Sequence, residues 1–354
     1  HYRSRSPGLI DFSNKAFYDD MLRISPDVTT SLKNKAIERI MVKGRWQDRK
    51  NQAEAAETVR LLKKLFKTHS GETVGIITFG MEQQSCIEDA IDRECKRDVE
   101  FRTAYLKESN RKEDGQDVSL FIKNIENVQG DERDVIIFSI GYARNENDKV
   151  NAHFGSLSVE GGENRLNVAV TRAKKKIYVI TSIEPEDLRV DGSKNNGPKL
   201  FKAYLTYARA VSGGNRAEIN ALLDGLCPAR VAPRHAELTV PVEQQIAAKL
   251  RSLGYDVDTD LGSGTNRISV AIYDKKKDRY VLGVQVDKIL YSEDETPLER
   301  DVYACRFLEQ KGWNIMRVWS RDWWHNAHDV IERIRHRADS VLTPAPAPRR
   351  TPKQ

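Results

Sequence analysis

The chain has 354 residues, 39% hydrophobic and 31% charged, a polar composition that still suffices for packed cores and fits roughly two to three domains. Lys and Arg total 58 against 52 Asp and Glu, giving a net charge of +6 and a pI near 9.0, which permits a polyanionic partner without demanding one. No stretch reaches the roughly 18 apolar residues of a membrane helix, HYRSRSPGLI lacks the features of a signal peptide, and the scattered cysteines (Cys86, Cys95, Cys227, Cys305) form no CxxC pair. These features argue against secretion, membrane anchoring, a disulfide framework or a structural zinc site, and fit a reducing cytoplasm.

Along the chain, Gln52–His69 places Ala55, Val59, Leu62 and Phe66 at i, i+4, i+7 and i+11, one face of a helix. Val74–Thr78 (VGIIT) is a short apolar run typical of a strand buried on both faces, and a polar helical segment follows to about Arg97. Asp134–Ile140 (DVIIFSI) and Ile177–Thr181 (IYVIT) read as two more such strands. This alternation predicts an α/β fold, a parallel sheet covered by helices on both sides. SGGNR (Ser212–Arg216), followed by Pro228, Pro233 and Pro241, predicts a linker over 213–240 after a first domain of 1–212.

In the second block, Val242, Ile246, Leu250 and Leu253 mark an amphipathic helix closed by Gly254. Tyr255–Asp260, Arg267–Asp274 and Tyr280–Asp287 read as strands. Thr296-Pro-Leu-Glu299 has the form of a capping box with proline at the first helical position, opening a helix to Gly312 before a strand at Asn314–Ser320. The order α-β-β-β-α-β predicts a small mixed α/β domain over 241–340. The Pro-rich basic end, TPAPAPRRTPKQ, predicts a disordered tail over 341–354.

Three polar clusters in the first block flank these elements: His1-Tyr-Arg-Ser-Arg5, Val128-Gln-Gly-Asp-Glu-Arg-Asp134 and Asn164-Arg-Leu-Asn-Val-Ala-Val-Thr-Arg-Ala-Lys174. Their positions at strand and helix ends predict one shared rim of the sheet, where α/β folds hold ligands. Arginines there supply fixed, bidentate cations suited to a triphosphate. The acids of Asp131-Glu132-Arg-Asp134 precede their strand, whereas a Walker B acid follows its strand, so they are not a Walker B box. No GxxxxGK[ST] occurs in the sequence.

These residues resemble superfamily 1 helicases, closest to the branch of the nonsense-mediated-decay RNA helicase and its bacterial relatives. HYRSR is similar to motif IV, VQGDERD to motif V and NVAVTRAK to motif VI, and GIITFGMEQQSCI (Gly75–Ile87) to the intervening segment that carries a Thr loop and a helix Gln. The resemblance implies the second RecA-like domain of an ATP-dependent translocase. It implies that Arg3 and Arg172 are arginine fingers, that Glu132 contacts the nucleotide ribose, that Gln129, Gly130 and Asn167 belong to the nucleotide side, and that Thr78, Gln83 and Thr171 belong to the nucleic-acid side. ATP with Mg²⁺ would be shared with a first RecA-like domain that holds Walker A and Walker B. The chain is therefore expected to be the C-terminal portion of a longer protein, with DNA or RNA as partner.

Gly283–Trp324 resembles the C-terminal half of very-short-patch-repair-type endonucleases of the PD-(D/E)XK fold, which implies a smaller restriction-endonuclease-like domain. Where that family carries Asp and Glu, this chain has Ser269 and Gln285; Asp287 is kept, and Lys288 replaces the usual Gly. A Mg²⁺ site of this kind normally needs at least two carboxylates. A metal on Asp287 is therefore doubtful, and cleavage is expected to be lost or much weakened. Glu243 is either a further ligand or a solvated helix-face charge. Trp319 is expected in the core, with Trp323 or Trp324 the better base-stacking candidate. His325 and His328 read as capping or surface groups, and Lys174–Lys176 and Lys275–Lys277 as solvated runs.

The function expected is ATP-dependent translocation on nucleic acid with a degenerate nuclease-like domain, in a context of prokaryotic defence against foreign DNA. The rival readings are a non-catalytic binding or docking module, and an active endonuclease with relocated ligands.

Overall fold

The computed structural model describes residues 6–22, 28, 35–68, 71–150, 154–226, 240–262, 267–287 and 304–342. The chain divides into two compact units, one of Gly8–Asp19 with Lys35–Val231, the other of His1–Pro7, Asp20–Asn34 and Ala232–Gln354.

The elements of the first part run in order α1 (Pro7–Phe17), β1 (Ile37–Met41), α2 (Gln52–Thr68), β2 (Val74–Thr78), α3 (Met81–Arg97) and α4 (Val99–Ser109). A small hairpin of β3 (Lys112–Glu113) and β4 (Gln116–Asp117) leads to β5 (Phe121–Asn124), β6 (Arg133–Ser139), α5 (Gly162–Val170), β7 (Ala173–Thr181), α6 (Asn196–Gly213) and α7 (Arg216–Leu226). Five strands form one sheet in the order β1-β7-β6-β2-β5, and every neighbouring pair is parallel. Parallel neighbours need crossovers that lie on the sheet faces, so both faces are covered and the inner strands β2 and β6 are buried almost throughout.

The period of two sorts the strand residues between two cores. Ile77, Ile136, Phe138, Ile177 and Val179 pack with α1, α5 and α6. Their neighbours Ile76, Val135, Ile137, Tyr178 and Ile180 pack on the other side with α2, α3 and α4. The expected face of α2 is buried at Ala55, Val59 and Leu62, with Phe66 packed at its edge. Asp98 opens α4 as an N-cap, accepting from Phe101 N at 3.0 Å. The crossover from β5 to β6 is made without a helix, by residues 125–132.

The stretch expected to begin a linker at 213 is instead helical. Gly214 closes α6 in the left-handed region (φ 73°), and α7 follows with Leu223 buried in the first core and Ile219, Leu222 and Leu226 packed against it. Their i, i+3, i+4, i+7 spacing outweighs the Gly-Gly signal. The rest of the expected linker, residues 227–239, lies outside the described residues.

The second part contains α8 (Val242–Ser252), β8 (Asp256–Leu261), β9 (Ile268–Asp274), β10 (Arg279–Val286), α9 (Ala304–Gln310), β11 (Ile315–Val318), α10 (Ser320–His325) and α11 (Ala327–Leu342). The expected order α-β-β-β-α-β is present, and two further helices follow it. The sheet runs β11-β10-β9-β8, with β8, β9 and β10 antiparallel and β11 parallel to β10. α11 buries Val330, Ile331, Ile334 and Ala338 against α8 and the strands. Leu253, expected on the apolar face of α8, is 42% exposed because it stands just past the last turn. The expected capping box Thr296–Glu299 and residues 343–354 of the expected tail lie outside the described residues, whereas Val341 and Leu342, the first two residues of that tail, end α11 and pack against the core.

Two indole assignments are corrected. Trp319 is 43% exposed, with the Arg317 guanidinium 4.4 Å from its ring, whereas Trp323 is 8% exposed and donates to Gln245 Oε1 at 3.1 Å. β11 ends at Val318, so strand alternation no longer applies to Trp319; its neighbours Trp323 and Trp324 follow a helix instead. Trp324 remains exposed, as expected of a stacking candidate.

The start of α6 shows how closely the layers approach. A Cβ on Gly197 would lie 2.0 Å from the Leu157 carbonyl oxygen, a backbone atom that has no rotamer to change. Gly197→Ala should therefore destabilise the protein by about 1–3 kcal/mol through overpacking. Gly192→Ala, whose Cβ meets nothing within 4 Å, should leave the urea midpoint nearly unchanged.

Candidate functional site

Because the first sheet is wholly parallel, one rim collects strand starts and the other strand ends. Glu132 stands immediately before β6 and Arg172 immediately before β7, and these segments are joined by Arg133 N donating to Arg172 O at 3.2 Å. The two clusters therefore share a rim as expected, but it is the amino rim. The carboxyl rim, where α/β folds usually bind ligands, holds Thr78 and Gln83 instead.

On the amino rim, the Arg172 guanidinium is fixed by its own helix end, donating from Nε to Val168 O at 2.8 Å and from Nη2 to Thr171 Oγ1 at 3.1 Å. Asn167 Nδ2 donates to the Tyr18 hydroxyl at 3.1 Å, and among the described residues its buried Oδ1 has no partner. Glu132 lies 4.0 Å from Lys174 Nζ. Gln129 and Gly130 are exposed, Gly130 with φ 90°, where glycine is favoured. Arg3 lies outside the described residues.

Two side chains that sequence reasoning gave no role hold this rim in place. Arg133 is buried, donates to Ser119 O at 2.8 Å and to Glu132 O at 2.8 Å, and stacks 5.0 Å from the Phe121 centroid. Burial lowers its pKa, opposed by Asp131 and Asp117. Asp134 accepts from Thr73 N at 3.0 Å and pairs with Lys175 at 3.2 Å. Burial would raise its pKa, but the Thr73 N–H and Lys175 hold it below the usual value. Lys176 in turn pairs with Glu38 at 2.7 Å, so the lysine run lies along a row of carboxylates.

The carboxyl rim is built around a carboxylate with no access to water. Glu54 accepts from Asn51 Nδ2 (3.1 Å) and Ser182 Oγ (3.0 Å) on one oxygen, and from Ser139 Oγ (2.9 Å) and Gly141 N (2.7 Å) on the other. Gln83, 1% exposed, accepts from Asn51 N at 2.7 Å and donates to Asn51 O at 3.1 Å and Ser139 Oγ at 3.0 Å. Its amide is thus engaged inside the fold. Thr78 is also buried, its hydroxyl donating to Gly80 O at 2.9 Å. Burial pushes the Glu54 pKa up to about 7, against the lowering by Gly141, Ser139 and Ser182. The available signal for Glu54 was its place at the head of the buried stripe Glu54, Thr58, Leu61, Leu65.

In the second part, Ser269 lies on β9, Gln285 on β10 and Asp287 immediately after it. None of them is arranged as a metal ligand. Ser269 Oγ accepts from Val286 N at 3.0 Å, and Gln285 Oε1 accepts from Cys305 Sγ at 3.0 Å. Asp287 uses both oxygens on Ser320, one on its backbone N–H and one on its hydroxyl at 2.9 Å, which fixes the start of α10. Glu243 is half-buried in the first turn of α8. No group of three or more His, Cys, Asp or Glu side chains suited to a metal occurs among the described residues, and Lys288 lies outside them.

Residues 1–184 match the family of AAA domains designated AAA_12. The chain belongs to this AAA-domain family. Residues 242–337 match a second, endonuclease-like family, REase_MTES_1575. The chain is 32% identical over 340 residues to the uncharacterized ATP-dependent helicase MG140 homolog of Mycoplasma pneumoniae, and 30% identical over 341 residues to the uncharacterized ATP-dependent helicase MG140 of Mycoplasma genitalium. Each match covers 95% of this chain and 29% of the relative, so the chain spans less than a third of their length. It also matches the C-terminal domain of a possible DNA helicase from Lactobacillus plantarum WCFS1, at 14% identity and a TM-score of 0.29, over 55% of this chain and 97% of that one. The AAA domain has the RecA-like architecture, a parallel five-stranded sheet between helical layers, and a smaller α/β domain follows it.

The state of Glu54 sets a pH dependence on the AAA domain. Its folded pKa of about 7 stands above the ordinary value of 4.5, so between these values the folded state holds a proton that the unfolded state releases. This contribution to stability is complete below pH 4.5 and is lost as pH rises towards 7, a change on the order of 3 kcal/mol. Glu54→Gln should remove that slope from urea denaturation measured between pH 5 and 8.

Proposed function

We propose that this chain is the C-terminal portion of a superfamily 1 ATP-dependent helicase or translocase, related to the nonsense-mediated-decay helicase branch, with a nucleic-acid-binding, very-short-patch-type domain that has lost cleavage. The observation that carries the motor reading is the junction on the amino rim, where Arg133 N donates to Arg172 O at 3.2 Å and so sets the motif V acid beside the motif VI arginine. The helicase names of the two Mycoplasma relatives support it.

The residues present fit ATP. Arg172 offers a positioned guanidinium, and Asn167 Oδ1 is a buried acceptor with no partner among the described residues. Glu132, with Gln129 and Gly130, would hold the ribose side, and Arg172 with Arg3 the phosphate side. ATP with Mg²⁺ supplies the phosphoryl group whose transfer places charge on its oxygens. Arg172, anchored through Nε to Val168 O, would present the rest of its guanidinium to that charge. The phosphate-cradling loop absent from this sequence comes from a first RecA-like domain, and Thr78, Gln83 and Thr171 serve the nucleic-acid side, Gln83 by shaping its rim. The pairing of motor and nuclease-like domain supports a role in prokaryotic defence.

In the protein extended by that first domain, Arg172→Ala should lower the ATPase kcat on the order of 10³-fold while KM for ATP changes little. The 354-residue chain alone should show no turnover. Equal losses in affinity and rate would make Arg172 an ordinary binding residue.

Loss of cleavage rests on Ser269 and Gln285, neutral groups where a metal needs charge, and on Asp287, whose oxygens are occupied by Ser320. The chain should bind nucleic acid with a steep salt dependence and leave plasmid DNA intact with Mg²⁺ or Mn²⁺. Ser269→Asp with Gln285→Glu should restore some metal-dependent nicking. Cleavage by the unaltered chain, abolished by Asp287→Ala, would establish relocated ligands instead.

A further inference from the structure

The carboxyl rim of the AAA domain carries a cleft of about 420 Å³, lined by Trp46, Arg49, Phe79, Glu82, Gly141 and Tyr142 among others. Trp46 is half-buried and stacks on Tyr142, ring centroids 5.3 Å apart and planes 29° apart. Around Trp46 the sequence KGRWQDRK supplies Lys43, Arg45, Arg49 and Lys50 against the single acid Asp48.

The turn that carries Arg49 is unusual. Gln47 and Lys50 exchange backbone hydrogen bonds of 3.1 and 2.8 Å, closing a two-residue hairpin with Asp48 at φ 51° and Arg49 at φ 59°. Such a turn favours glycine or asparagine, and an arginine there accepts backbone strain. Its side chain is 75% exposed and reaches Glu82 at 3.0 Å, an ion pair that solvent screens. Because solvent screens that pair, the guanidinium can exchange Glu82 for another anion.

The walls of the cleft are fixed from behind. The Glu54 network holds Asn51 just after the hairpin, Gln83 at the start of α3 and Gly141 just after β6. A polar network buried at this depth keeps three separate segments in register, as a preformed site requires.

We propose that this cleft takes one nucleotide of a single-stranded nucleic acid, its base against Trp46 and its phosphate drawn to Arg49 and Lys50. The inference rests on the nucleic-acid reading above and adds Trp46, Arg49 and Lys50, residues outside the quoted motifs, to the rim that already holds Gln83. The volume falls in the range of roughly 300–1,000 Å³ usual for small-molecule sites, enough for a nucleotide unit. An aromatic platform beside cations is the chemistry that holds unpaired bases without regard to sequence. A duplex keeps its bases stacked on one another and offers none to Trp46.

The test measures binding of a fluorescein-labelled oligo(dT) 12-mer to the full chain by anisotropy at low salt, with 5-iodouracil photocrosslinking of the same strand to map the contact. Trp46→Ala should weaken binding roughly five- to hundredfold, and Trp46→Phe should recover most of it. Arg49→Gln, at an exposed tip where folding is not at stake, should weaken binding several-fold and reduce the salt slope by about one. Crosslinks should map to the peptide that contains Trp46 or to Tyr142. Unchanged affinity in Trp46→Ala and Arg49→Gln, with crosslinks elsewhere, overturns this site while leaving nucleic-acid binding intact. No binding by the parent chain overturns both readings. Displacement of the strand by equimolar dTMP, equally sensitive to Trp46→Ala, would make the cleft a free-nucleotide site and also overturn the proposal.

Discussion

The constraint on which the AAA domain depends is that all five strands of its sheet run the same way. Direction alone decides that residues preceding a strand reach one rim and residues following it reach the other. Glu132 and Arg172 are neighbours because each precedes an apolar strand, and β6 and β7 are paired with Arg133 opposite Ala173. Thr78, Ser139 and Ser182 gather at the opposite end because each ends or follows a strand. The same parallelism buries both sheet faces and leaves the rims as the places for polar chemistry.

Each rim makes a different use of buried charge. On the amino rim, Arg133 satisfies backbone carbonyls and Asp134 has a cation beside it, so both stay ionised while fixing the chain around them. On the carboxyl rim, Glu54 has hydrogen-bond donors but no cation, and burial dominates. In the nuclease-like domain, Asp287 holds the first residue of α10. A carboxylate committed to a backbone N–H is poorly available to a metal, and the side chains at Ser269 and Gln285 nearby are neutral.

Much of this was legible in the sequence because it depends on local period and direction. Continuous apolar runs gave β2, β6 and β7, and the order of acids and apolar residues in Val128–Ile140 put the acids at a strand start. What was not legible depended on distant partners or on the end of a pattern. Glu54 finds Ser139, Gly141 and Ser182 at separations of 85, 87 and 128 residues, which no window of sequence contains. Trp319 departs from the expected core because its strand stops one residue earlier, and α7 forms because its leucines outweigh the glycines before it.

The helix-free crossover from β5 to β6 has a mechanical consequence. At one end Ile125 N donates to Thr78 O at 2.8 Å, and at the other Arg133 N donates to Arg172 O. Between Asn124 and Arg133 the chain must travel about 20 Å along the sheet and about 10 Å across it. Its contour is at most about 30 Å, so little slack is left. The segment is a tie-rod laid over the sheet face, and neither rim can shift far along the strand axis without pulling on the other.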